Sequence, residues 1–313
     1  MNRHLAATAF AIAAVALFAQ CAAAVTPTPL QSAYWRFEEG ANGSLVTPGA
    51  DVVLDSANNN RLRAATGAEP RYTDSVAPFT LRSGLPNNLA LDFTPNVGPG
   101  GDDLFTNNVA GGAPIQNGLI GPPAAPGVTG FTLEAAFRAD AVGGPFRGIV
   151  AKEGQPGGPL ATLALKVRGD NSKLQIELFD QSNTVRSIES IATIAAGNWY
   201  AAAVVNDGST MSLYLDSNDN NGYVLQGSLP VSGALYQGAN NDWSHAWTVG
   251  RAAYNGGPAD WFDGIIDEVR LSNRPLAVNE FLFEQVPEPS TLALAAFALA
   301  GMAAHSRRSR AMA

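Results

Sequence analysis

Phe131-Thr132-Leu133-Glu134-Ala135-Ala136-Phe137-Arg138 places Phe131, Leu133, Ala135 and Phe137 at alternate positions, with Thr132, Glu134 and Arg138 between them. Successive side chains of a strand point to opposite faces, so this period of two reads as a half-buried β-strand. Working outward, the pattern recurs between turn signals at Ala33 to Glu38, Leu89 to Phe93, Phe146 to Lys152, Leu160 to Val167, Lys173 to Phe179 and Thr184 to Ile191. Trp199 to Val205 and Met211 to Leu215 flank Asn206-Asp207-Gly208-Ser209-Thr210, a hairpin turn in which Asp-Gly supplies the positive φ. Phe262 to Leu271 is the last strand, and Pro275 to Phe283 reads as one or two helical turns. No long amphipathic helix interrupts residues 30 to 274, and no βα alternation occurs. The expected fold is an all-β sandwich of two stacked antiparallel sheets. Alternation makes Trp35, Phe37, Phe131, Leu133, Ala135, Phe137, Val204, Leu213, Leu215, Ile266 and Val269 the inward set. A long Gly/Pro-rich loop, about 94–130, reads as an insertion with one short strand at Pro114 to Ile120.

The two ends are of another kind. Asn2-Arg3-His4, an apolar run from Leu5 to Ala19 and Ala22-Ala23-Ala24 make a secretory signal peptide over residues 1–24. At the other end Pro287-Glu288-Pro289 is followed by an uncharged run, Thr291 to Ala304, and by Arg307, Arg308 and Arg310. The prolines stop the domain, because each fixes φ and lacks an N–H. As a helix the 14-residue run is about 21 Å long at 1.5 Å per residue, short of the roughly 20 residues that span a bilayer. That length suits a transient membrane insertion, with the arginines held on the cytoplasmic side. This layout resembles the PEP-CTERM sorting signal, which implies export to the cell envelope, then processing by an exosortase-type enzyme and release to the cell surface or beyond. The expected organisation is 1–24 signal peptide, 25–285 β-sandwich domain and 286–313 sorting signal.

Composition excludes several chemistries. The chain has 19 basic and 27 acidic residues; Arg3, Arg307, Arg308, Arg310 and Glu288 leave with the ends, so the mature balance is 15 against 26, or −11. Such a surface repels nucleic acid and anionic lipid. Cys21 leaves with the signal peptide, so the mature chain has no disulfide and no thiol chemistry. His245 is the only mature histidine, which excludes a two-histidine zinc site.

Four segments, Ala33 to Gly40, Phe131 to Arg138, Trp199 to Leu215 and Phe262 to Leu276, resemble in this order the laminin-G-like, concanavalin A-like jelly roll in its bacterial and pentraxin-related branch. The most specific is Gly264-Ile265-Ile266-Asp267-Glu268-Val269-Arg270 followed by Asn273-Arg274-Pro275-Leu276. The resemblance implies one domain over roughly residues 32 to 284. Hydrolases of that fold carry E-x-D-x-x-E on one strand. Here no such triplet exists, and the adjacent Asp267 and Glu268 are expected on opposite faces. No catalytic residue is assigned, and the expectation is a non-enzymatic module.

Calcium is the next candidate, since hard oxygen ligands on loops suit an acidic exported protein. Where pentraxins place an acid-amide-acid run, Gly250 to Gly257 offers two alanines and Tyr254. Asp260 and Asp263 remain as candidates for one structural Ca²⁺, with Asp55 to Asn60 and Asp102-Asp103 as further acidic loops. Asp216 to Gly222 reads as a polar hairpin turn, because its glycine falls one place late for an EF-hand. The third candidate is sugar binding. Trp243, Trp247, Tyr254 and Trp261 share a loop-rich stretch with Asn240 and Asp242, and aromatic faces stack on sugar C–H surfaces while amides and carboxylates bond hydroxyls. The alternative for Trp247 and Trp261 is an inward place at the strand ends. The favoured function is a binding module for exopolysaccharide or another surface glycan, reached through the export machinery. The alternatives are a structural matrix protein without a specific ligand and, last, a polysaccharide hydrolase or lyase.

Overall fold

The computed structural model describes residues 31–94, 100–106, 130–153, 161–235, 246–255 and 257–284. The strand expected at Pro114 to Ile120, the expected signal peptide and the expected apolar sorting helix lie outside these residues. The described chain forms seventeen strands and one 3-10 turn, numbered β1 to β17 in chain order. The first sheet runs β13 (Val224–Pro230), β12 (Thr210–Asp216), β11 (Trp199–Asn206), β6 (Phe131–Ala139), β17 (Gly264–Ser272), β4 (Ala90–Asp92) and β3 (Arg71–Thr73), and β1 (Gln31–Trp35) shares the far side of β17. The second runs β10 (Val185–Thr193), β9 (Lys173–Phe179), β8 (Leu163–Val167), β7 (Arg147–Lys152), β14 (Trp247–Val249), β5 (Leu104–Thr106) and β2 (Leu62–Arg63). A hairpin, β15 (Ala252–Tyr254) with β16 (Gly257–Ala259), stands apart from both. Every pairing is antiparallel.

The core lies between the sheets, and all eleven residues of the expected inward set belong to it. Burying each large apolar side chain contributes about 1.5–3 kcal/mol. The turns follow the sequence signals: Gly208 takes φ 90° between β11 and β12, and Asn218, Asn220 and Gly222 take φ 55°, 67° and 67° between β12 and β13.

Two local expectations fail. Pro275 to Phe283 contains only the 3-10 turn Val278–Glu280, after which the chain extends and Phe283 bridges to Leu81. Phe281, Leu282 and Phe283 are buried with Ala136, Ala201 and Ala203 on the outer face of the first sheet, so a third layer covers that face. The second failure concerns Asp267 and Glu268. β17 bulges between Asp267 and Arg270, and Glu268 takes φ +49°. A bulge inserts one residue and resets the alternation. Ile266 and Val269 therefore both point into the core, while Asp267 and Glu268 both reach the outer layer, Asp267 to the Ala77 N–H and Glu268 to Arg36.

Candidate functional site

The outer face of the second sheet is built from the polar half of each alternation. Leu163, Leu165 and Val167 face the core on β8 while Ala164 and Lys166 face out; on β9, Gln175 and Glu177 alternate with Leu174, Ile176 and Leu178. Lys166 Nζ lies 3.3 Å from Glu177 Oε1, and Lys166 and Arg168 sit over the Phe146 ring at 5.1 Å and 5.3 Å from its centroid. Arg168 also pairs with Asp170 and Glu189.

Small residues admit the β15–β16 hairpin to this face. A Cβ at Gly148 would stand 2.5 Å from Ala252 N and 2.6 Å from Arg251 C, so only glycine allows the approach. Ala151, Ala161, Ala164 and Ala252 pack beneath it. The Gly148 N–H donates to the Asp260 carbonyl at 2.6 Å, which fixes the hairpin's exit. Arg251 anchors its entry from below, buried and paired with Asp103 and Glu153.

The residues singled out in the sequence divide accordingly. Tyr254 stands on the hairpin, 53% exposed. Trp261 is half-buried. Asp260 sits at φ +56°, half-buried, and burial raises its carboxyl above the usual range, with Lys166 opposing and Glu177 adding to the rise. Asp263 is 3.5 Å from Arg147; burial raises it as well, Arg147 opposing. Trp247 corrects the sequence reading: it is fully buried in the inter-sheet core opposite Lys152 and cannot stack on a ligand. Trp243, Asn240 and Asp242 lie outside the described residues, as do His245, Pro287, Glu288, Pro289, Arg307, Arg308 and Arg310.

The other acidic loops are occupied by the protein itself. Asp55 accepts from the N–H groups of Tyr34, Ala57 and Asn60, and Asp103 holds Arg251. Among the described residues no three acidic or histidine side chains converge as a cation cage.

Sequence reasoning missed Lys166, Gln175, Glu177 and Phe146 as one surface. Their alternation with core leucines was the available signal. It missed Lys152 too, a fully buried lysine whose ammonium burial lowers to about 7 while Glu153 opposes. On this face Lys166 and Gln175 are buried, Glu177 and Phe146 are half-buried, and Tyr254 on the hairpin is the exposed ring.

Comparison with known proteins places this geometry. A family model described as the concanavalin A-like lectin/glucanases superfamily matches residues 116–280, and one for the PEP-CTERM protein-sorting motif matches 285–308. No curated protein matches the chain. Among solved structures, the chain is similar to domain 4 of AbnA, a GH43 extracellular arabinanase from Geobacillus stearothermophilus, in complex with arabinotriose. That pair is 14% identical with a TM-score of 0.50, covering 80% of this chain and 95% of that one. The Ruminococcus gnavus IT-sialidase CBM40 bound to α2,3-sialyllactose is 15% identical, covering 49% and 81%, with a TM-score of 0.37. The binding domain of Botulinum Neurotoxin DC in complex with SialylT is 12% identical, covering 80% and 49%, with a TM-score of 0.46. At these identities the likeness is one of fold. Built of two antiparallel sheets and matched over more than half of its length, the chain belongs to the concanavalin A-like lectin/glucanases superfamily and carries a PEP-CTERM sorting motif that marks it for export to the cell envelope.

Proposed function

We propose that the protein is a non-enzymatic binding module that meets an exopolysaccharide or surface glycan at the outer face of its seven-stranded sheet. The observation that carries this reading is the β15–β16 hairpin. It presents Tyr254 to solvent and ends at Asp260, beside the Lys166–Glu177 pair. In this reading residues 1–24 direct export, 25–285 form the module, and an exosortase-type enzyme removes the tail near Pro287-Glu288-Pro289. One Ca²⁺ at Asp260 or Asp263 would order the hairpin's exit.

The test is a glycan array together with the host's own exopolysaccharide, each with and without chelator, for the wild type and Tyr254→Ala. Stacked aromatic pairs are worth about 0.5–1.5 kcal/mol beyond their buried area, and the same scale is taken for a ring on a sugar face. The variant should therefore bind about tenfold more weakly with an unchanged melting temperature, each 1.4 kcal/mol being about tenfold. Equal binding by both proteins, or no binding to any glycan, refutes the proposal.

A second reading, a structural matrix protein, rests on the charges of this face satisfying one another: Lys166 with Glu177, Arg168 with Asp170 and Glu189, Arg147 with Asp263. It predicts full surface retention by Tyr254→Ala.

A further inference from the structure

The outer face of the eight-stranded sheet buries one carboxyl group that its neighbours satisfy on one side only. Asp267 is fully buried. Its Oδ2 accepts from the Ala77 N–H at 2.9 Å and from Asn87 Nδ2 at 2.7 Å. Its Oδ1 is shielded from water and meets no donor, and Asn87 Oδ1 is shielded and without a donor in the same way. Two orphaned acceptors thus belong to two planar side chains already joined by one N–H···O bond. A carboxylic acid and a carboxamide in this relation are complementary, since one acid O–H supplies the donor that both lack. We propose that Asp267 carries a proton on Oδ1 and donates it to Asn87 Oδ1, closing a cyclic acid–amide pair that latches the loop of residues 74–89 onto β17.

The surrounding charges favour that proton. Glu268, adjacent on the bulge, is buried and negative beside Asp267, although Arg36 pairs with it at 2.9 Å. Glu38 adds a further negative charge. On the neighbouring strand Glu134 is matched by Arg270, and Arg138 is turned to Asp140 and Ser75. From the loop, the Ala77 N–H and the Asn87 amide meet Asp267. Burial, then Glu268, pushes the Asp267 carboxyl up to about 8, with the two N–H donors opposing. Above that pH the ring loses its proton to solvent, and two buried carboxylates stand side by side. The latched loop also holds the end of the domain: Arg82 N–H donates to the Leu282 carbonyl, the Glu284 N–H to the Thr80 carbonyl, and the Arg82 side chain to the carbonyls of Phe281 and Phe283. The latch therefore secures the segment that runs into the sorting motif.

Asp267→Asn tests this, because its amide supplies an N–H in place of the O–H and keeps the ring without a titrating proton. A carboxyl whose folded pKa lies above its unfolded value stabilises fully in acid, and that stabilisation is lost as pH rises to the folded pKa. Denaturant unfolding of the full chain in mild detergent should show the wild-type unfolding constant rising, relative to the variant's, by up to about tenfold per pH unit between about pH 4 and 8, and running parallel above. Parallel curves throughout overturn the proposal. If Asp267→Asn does not fold, hydrogen exchange of the wild type decides. Protection of residues 74–89, relative to that of β11, should fall as pH rises from about 4 to 8 and level off above, and unchanged relative protection of the loop overturns the latch.

Discussion

Replacing Glu134 by alanine removes a carboxylate that two elements share. Arg270 reaches Oε2 through Nη2 at 2.5 Å and Nε at 2.7 Å, and the Leu282 N–H reaches Oε1 at 2.5 Å. Glu134 is fully buried and Arg270 is 9% exposed. Without Glu134, Arg270 keeps only the Glu280 carbonyl at 2.9 Å, and the Leu282 N–H loses its acceptor. Breaking a buried ion pair from one side costs about 3–5 kcal/mol. An orphaned buried N–H costs about 1–3 kcal/mol, and because the two losses overlap the variant should be destabilised by about 4–6 kcal/mol. That is a large share of the roughly 5–15 kcal/mol that holds a domain folded. The control is Glu134→Leu with Arg270→Met, since an apolar pair of similar volume replaces a buried ion pair at little cost, leaving about 1–3 kcal/mol for the N–H. Denaturant midpoints of the wild type, the single and the double variant measure all three. A single variant within about 1 kcal/mol of the wild type, or a double variant no more stable than the single, would refute the buried-pair account.

Gly148→Ala pushes a Cβ into the backbone of Arg251 and Ala252, which cannot yield as a side chain end can. Overpacking of that kind costs about 1–3 kcal/mol, and a thermal melt together with glycan binding should show loss of both stability and affinity. Asp180 accepts from the N–H groups of Ser182, Thr184 and Ser232, from the Ser182 hydroxyl and from Arg186 Nε, tying the β9–β10 turn to the segment after β13. Asp180→Ala should lose about 2–4 kcal/mol at neutral pH. These donors hold the Asp180 carboxyl down at about 2, so its contribution is complete above the unfolded value near 4 and is lost as pH falls to 2. Wild-type and variant midpoints should accordingly converge in acid, and a gap that persists at pH 2 would contradict the assignment.

The two-sheet body was readable because alternation is itself the physical signal, and the inward residues needed nothing else apart from the pair Ile266 and Val269, which straddles the β17 bulge. β2, β3, β5 and β14 to β16 were not read, because strands of two or three residues are too short to show a period, and β13 was not read because, of its seven residues, it buries only Gln226 and shows no apolar alternation. Trp247 was named both as a ligand residue and as an inward strand-end residue, and the structure places it inward. Its spacing from Val249, both fully buried, carried the inward signal over the one turn of pleat that β14 has. Asp267 and Glu268 failed for a different reason. The two-face rule assumes regular strand geometry, and nothing in a glutamate announces a φ of +49°. The acidic loops at Asp55 and Asp103 stayed open as further cation candidates because sequence supplies the carboxylate and not the N–H or guanidinium it serves.

The third layer explains why the charged residues of β17 could not be assigned from sequence. A two-layer sandwich leaves its outer faces to water, where Glu134, Asp267, Glu268 and Arg270 would be ordinary solvated side chains. Here Ala136, Ala201 and Ala203 make that face shallow, and Phe281, Leu282 and Phe283 fill it. The four charges are thereby sealed in and must satisfy one another or the covering chain: Glu134 the Leu282 N–H, Arg270 the Glu280 carbonyl, Asp267 the Ala77 N–H. A glutamate on an alternating strand is thus a structural residue because of what lies about 150 places later in the chain, a relation that no local pattern encodes. The same covering segment is packed through Phe283, two residues before the stretch that matches the sorting motif.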